Sequence, residues 1–149
     1  MFGIQLFTTK KTKKHIKESS NEFRKALMKG MKKAILFAEG EAKKSFGKPG
    51  NLKVGTGHLR RSIQSKVKDR IKVIVLSLSS NVIYAGIHEY GGVIKAKKGP
   101  YLTFKIGDRW VKVASVTMPA RPFLEPAIED NLDKMANIIT STVSKEMNE

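Results

Sequence analysis

The three histidines, His15, His58 and His88, are the side chains best suited to holding a metal ion or moving a proton, and their placement argues against both. No H-x₃-H or H-E-x-x-H spacing occurs, and such spacings are what bring two imidazoles onto one face of an element. His88-Glu89 is the one adjacent pair of ligand types. Neighbouring side chains on a helix or strand diverge, so the pair is expected to be structural. The glycines form neither G-x-x-x-x-G-K-[ST] nor G-x-G-x-x-G, and no serine stands in a G-x-S-x-G elbow. The chain has no cysteine, which excludes thiolate ligands, a cysteine nucleophile and disulfides. Glu125, Glu129, Asp130 and Asp133 read as a solvated helix face rather than an acid/base pair. The expectation is a protein that is no enzyme and holds no metal or cofactor.

Two other segments have compositions that a plain structural element would not need: Ile83-Tyr84-Ala85-Gly86-Ile87-His88-Glu89-Tyr90-Gly91-Gly92 and Met118-Pro119-Ala120-Arg121-Pro122-Phe123-Leu124-Glu125-Pro126-Ala127. In the second, two prolines bracket an arginine. Proline removes its own N–H and pushes the preceding residue out of the helical region, so Ala120 and Arg121 are expected to be extended. Pro126 falls in the first turn of the next amphipathic run, where a missing N–H costs little. Glu89 and Arg121 are thus each held in one direction by neighbouring Gly or Pro. A pre-oriented Arg can grip a carboxylate through two bonds, so an ion pair within or between subunits is expected. Whether the two residues are each other's partners stays open at this stage.

Charge is the other outlier. The chain has 149 residues and a formal charge of +16. Residues 1–53 carry 14 Lys+Arg against 4 Asp+Glu, and residues 54–149 carry 15 against 9, so +10 of the excess lies toward the N-terminus. Such an imbalance favours a polyanionic neighbour, nucleic acid or an acidic protein surface. No zinc finger, RNP-type aromatic pair or heptad-coupled basic region accompanies it, so non-specific phosphate contact is expected rather than sequence readout. The candidate DNA-facing residues are Lys10, Lys11, Lys13 and Lys14, with Arg60 and Arg61. No apolar run reaches membrane-spanning length. The apolar start precedes its basic cluster, the reverse of a secretory signal, so a cytoplasmic origin is expected.

One domain is expected from the length. Residues 1–18 read as a flexible basic arm and 19–149 as a single α+β domain. Ser19 to Glu22 fits a capping box. Phe23, Leu27, Gly30/Met31, Ala34/Ile35, Ala38, Ala42 and Phe46 then recur at helical spacing, predicting a helix of about seven turns that stops at Gly47-Lys48-Pro49-Gly50. Residues 47–57 read as a flexible loop, and Thr56 as the cap of a short helix over His58–Ile63. Gln64–Lys68 and Ile71–Ser79 are predicted to pair as a hairpin turning at Asp69-Arg70. Tyr84–Tyr90 could be strand or helix, with the spacing of Ile83, Tyr84, Ile87 and Tyr90 favouring helix. Tyr101–Ile106 and Arg109–Ala114 flank Gly107-Asp108, the clearest hairpin of the chain. Leu124, Ala127/Ile128, Leu132, Met135, Ile138/Ile139 and Val143 mark a long C-terminal helix. Both long helices are expected to pack on one face of a small antiparallel sheet.

The chain resembles a family of tailed-bacteriophage morphogenesis proteins, the small neck and tail-completion proteins. The likeness rests on Leu59/Arg60/Ser62/Ile63, on Tyr84/Ala85/Glu89/Gly91, and on Pro119/Arg121/Pro122/Phe123/Leu124/Pro126/Ala127, and it spans roughly residues 20 to 145. It implies an α+β subunit with no catalytic residues, assembled into a homo-oligomeric ring, a hexamer, between the head connector and the tail. Its expected partners are the connector or stopper and the tail terminator or tail tube proteins, with packaged double-stranded DNA passing through. Tyr84, Glu89, Gly91, Arg121, Pro122 and Phe123 are the implied subunit-interface residues. The expected location is the virion, reached from the host cytoplasm. The alternative is a small basic DNA-binding or DNA-packaging accessory protein.

Overall fold

A computed structural model describes residues 21–70, 73–97 and 99–148; the basic arm with Lys10, Lys11, Lys13, Lys14 and His15 lies outside them. The fold is α+β. Helix α1 (Asn21–Ser45) buries Ala26, Leu27, Met31, Ala34, Ile35, Ala38 and Ala42 along one stripe, as its periodicity predicts. Alanines on that stripe let neighbours approach closely. A Cβ added at Gly30 would lie 3.1 Å from the backbone of Ile139, so the helices nearly touch there.

Short helix α2 (His58–Ser62) leads into strand β1 (Ile63–Arg70), which pairs antiparallel with β2 (Val73–Ser80). Asp69 and Arg70, expected at the turn, are therefore strand residues paired with Ile74 and Val73. Ile74, Leu76 and Leu78 alternate inward from β2 onto α1, as expected of a sheet with one covered face. Glu39 bolts this sheet to the helix: one carboxylate oxygen accepts from the Ser65 amide at 2.8 Å and hydroxyl at 2.6 Å, the other from Lys43 at 2.6 Å. Burial pushes the Glu39 carboxyl upward, but these bonds outweigh it and hold it below its ordinary value. Arg24 ties the far end through Asp69 and the Arg70 carbonyl.

The segment 47–57 has neither helix nor strand, yet Leu52 is buried and its carbonyl accepts from the Gly47 amide at 2.7 Å. Helix α3 (Ala85–Tyr90) comes after β2, so the helical alternative holds for that segment. Strands β3 (Gly92–Lys95), β4 (Leu102–Ile106), β5 (Arg109–Val113) and β6 (Ser115–Met118) come next. They make two further two-stranded ribbons, β3 with β6 and β4 with β5 around the Gly107-Asp108 turn. Among the described residues the strands thus form three separate antiparallel pairs. Nested in sequence, the last two form one arm between residues 92 and 118, none of whose described residues is buried.

The C-terminal run is two helices, α4 (Glu125–Glu129) and α5 (Leu132–Met147). A single helix is expected from the periodicity, but Asp130 and Asn131 interrupt it, and the Asn131 amide group donates back to the Ala127 carbonyl at 3.2 Å. Side-chain competition for backbone partners is why such residues favour helix ends. The buried positions Leu124, Ala127, Ile128, Asn131, Met135 and Thr142 keep helical spacing across the break, with Asn131 rather than Leu132 on the inward line. Leu132, expected inward, is 43% exposed, while Met135 and Thr142 are buried. Helix α5 packs mainly on α1, and α1 covers the β1–β2 sheet, so the two long helices do not share a sheet face in the way expected.

Candidate assembly surface

The two segments singled out in the sequence meet. Helix α3 ends at Gly91, and the Pro119–Leu124 stretch runs across that end. The Arg121 amide donates to the His88 carbonyl at 2.7 Å. Glu89 is only 5% exposed, and its carboxylate accepts from three successive backbone amides: Phe123 at 2.9 Å, Leu124 at 3.1 and 3.2 Å, and Glu125 at 2.9 Å. The first amides of α4 have no partner within the helix, and Leu124 at its N-cap has no side chain able to supply one. Glu89 is that missing cap, delivered from a helix 34 to 36 residues earlier in the chain. A carboxylate at a helix start also faces the positive end of the peptide dipoles.

Glu89 and Arg121 are not each other's partners within the subunit. Both Glu89 oxygens are occupied by backbone amides, and among the described residues Arg121 has no carboxylate within salt-bridge distance. Its side chain is exposed beside His88. Phe123 is buried and meets the Phe46 ring edge-on, with centroids 5.2 Å apart. Of the implied interface residues, Glu89 and Phe123 are interior and Gly91 half-buried in the single subunit. Tyr84, Arg121 and Pro122 are exposed, in company with Ile83, which is 99% exposed, and Tyr90. A groove of about 420 Å³ opens beside them, lined by Gln64, Lys66, Val82, Ile83, Tyr90 and Leu124 among others.

The structure also links histidines that lie far apart in sequence. His58 Nδ1 is 3.2 Å from the Tyr84 hydroxyl, and the Tyr84 and His88 rings pack edge to face at 5.9 Å. Burial first, then the Arg121 guanidinium, hold His88 below the ordinary imidazole range. The fold thus favours neutral His88, and the unfolded chain takes up that proton first. This contribution to stability is complete above about pH 6.5 and is lost as pH falls through that value toward the folded pKa. Denaturant midpoints are expected to drop between about pH 7 and pH 5, and less steeply in His88→Gln. Identical pH profiles for the two proteins would refute the assignment. Arg60 and Arg61 are exposed on α2, within reach of solvent and of any partner.

The Glu89 carboxylate, buried and committed to backbone amides, lies beneath an exposed apolar and aromatic rim, so its polar chemistry fixes local shape. The chain belongs to the phage virion morphogenesis family, whose sequence model matches residues 37–144. It is also 26% identical over 89 residues to an uncharacterised protein of the archaeon Methanocaldococcus jannaschii, covering 60% of this chain. The match spans about half the length of that relative. No solved structure matches the chain. The matched family region contains α2, α3, the β arm and the Glu89 cap, so the capped block lies within the shared part of the chain.

Proposed function

We propose that this protein is a ring-forming neck or tail-completion component of a long-tailed phage, joining the tail to the head connector around the DNA channel. The observation that carries the reading is the Glu89 cap. It locks the Tyr84–Gly91 and Pro119–Ala127 segments into one rigid block whose outer face offers Ile83, Tyr84, Tyr90, Arg121 and Pro122 to a neighbour. A ring subunit needs such a fixed adhesive face and no active site. Six copies would close the ring, with the connector or stopper on one side and the tail terminator or tube on the other. Its excess positive charge suits a passage for double-stranded DNA.

Arg121→Ala is expected to leave the isolated subunit folded, since an exposed side chain that forms no salt bridge among the described residues contributes little to stability. In phage, the same change is expected to yield separate DNA-filled heads and tails. Normal particles without packaged DNA would instead support the accessory-protein reading. That second reading draws on the exposed Lys25, Lys29, Lys32 and Lys33 of α1. Duplex binding by the isolated monomer that weakens steeply with salt would favour it.

A further inference from the structure

Among the described residues, none of the arm between residues 92 and 118 is buried by the rest of its own chain. On β4 and β5 the register puts Tyr101, Thr103 and Lys105 on one face with Trp110 and Lys112, and Leu102, Phe104 and Ile106 on the other with Val111 and Val113. Trp110 is 73% exposed, Ile106 61% and Tyr101 51%. An isolated two-stranded ribbon is marginal in water, so a ribbon bearing this much exposed apolar area calls for a partner. It is also basic: residues 92–118 contain five Lys and one Arg against the single acid Asp108. Lys112 already lies over the Tyr101 ring at 5.0 Å, so the face is a joined aromatic and cationic surface.

The same chain holds a complementary surface elsewhere. Residues 122–133 contain Glu125, Glu129, Asp130 and Asp133 and no basic residue. All four carboxylates are exposed, and among the described residues none forms a salt bridge. The exposed Leu132 stands among them. In a chain of net charge +16, four neighbouring carboxylates without a salt-bridged cation among the described residues are an anomaly, and no described lysine of the same molecule's arm pairs with them. We infer that the Tyr101/Lys105/Trp110/Lys112 face of the arm docks on the Glu125–Asp133 surface of a second copy of this chain. Donor and acceptor surfaces differ, so the contact is head-to-tail and can propagate into a ring. Duplex DNA would satisfy the lysines but leaves the carboxylates unmatched. The inference rests on the ring reading and names the contact that would close it.

Reciprocal charge reversal tests it. Lys105→Glu with Lys112→Glu reverses the arm, and Glu129→Lys with Asp133→Lys reverses the acidic surface; all four positions are exposed, so each variant should melt as the parent does. Each variant alone is expected to self-associate roughly a hundredfold more weakly in sedimentation velocity, because like charges then face each other. An equimolar mixture of the two variants is expected to restore assembly, since each reversed surface then meets its complement. If the parent forms rings that both variants also form, the arm contact is wrong while the ring reading stands. If the parent chain stays monomeric, both fall. Loss of duplex binding in the arm variant, with assembly unchanged, would assign the arm to DNA and overturn the inference.

Discussion

Glu89→Ala is expected to be among the most damaging single substitutions in this chain, lowering stability by about 3–5 kcal/mol. Three backbone amides lose a charged acceptor at once, and two of them, those of Phe123 and Leu124, belong to buried residues. Bonds to an ionised acceptor contribute about 1.5–3 kcal/mol each, and a buried amide left without any partner costs about 1–3 kcal/mol. The contributions overlap, so the sum stays below their total. For a chain of this size the change corresponds to a fall in melting temperature of about 10 °C or more. Glu89→Gln separates shape from charge: its amide oxygen can still accept, but its NH₂ group would face amides that are themselves donors. It is expected to recover only part of the loss. If Glu89→Ala melted within a degree or two of the parent, the cap would not be what holds the Pro119–Ala127 segment in place.

The cap was half legible in the sequence. The composition of both segments marked them as constrained, and Glu89 and Arg121 stood out as side chains held in place. The partner was not legible, because a carboxylate's bonds to backbone amides leave no complementary residue type to find. A weaker signal was present. The start of α4 has Leu124 where a Ser, Thr, Asp or Asn cap would be expected, so its free amides had to be met from elsewhere. The long helix α1 and the Gly107-Asp108 hairpin were readable because local periodicity and turn chemistry determine them. Strands β3 and β6 were not, being four residues each and paired around a whole intervening hairpin. The break at Asp130-Asn131 was hidden by an apolar stripe that continues through it, and Leu132 lies outside because the polar Asn131 takes the inward position beside it.

Gly91→Ala is expected to match Glu89→Ala in severity, by a different route. Gly91 has φ 69° and ψ −169°, a conformation essentially confined to glycine. Holding any other residue there costs on the order of 1–3 kcal/mol. Space adds to the cost. A Cβ would stand 2.7 Å from the Ala120 nitrogen and 2.9 Å from the Met118 carbonyl oxygen, both backbone atoms that cannot swing aside. Relief requires the Pro119–Arg121 segment to move off α3. That movement breaks the Arg121 amide bond to His88, unpairs Gly92 from Met118 at the arm's base, and drags the Glu89 acceptors out of line. The total is expected to exceed about 3 kcal/mol, with the arm's orientation lost along with it. Gly40→Ala is the control. It lies inside α1 with nothing within 4 Å of an added Cβ, so it should raise stability by about 0.5–1 kcal/mol. Parallel thermal melts that moved the two variants in the same direction would mean that backbone conformation at Gly91 is not what joins the two segments.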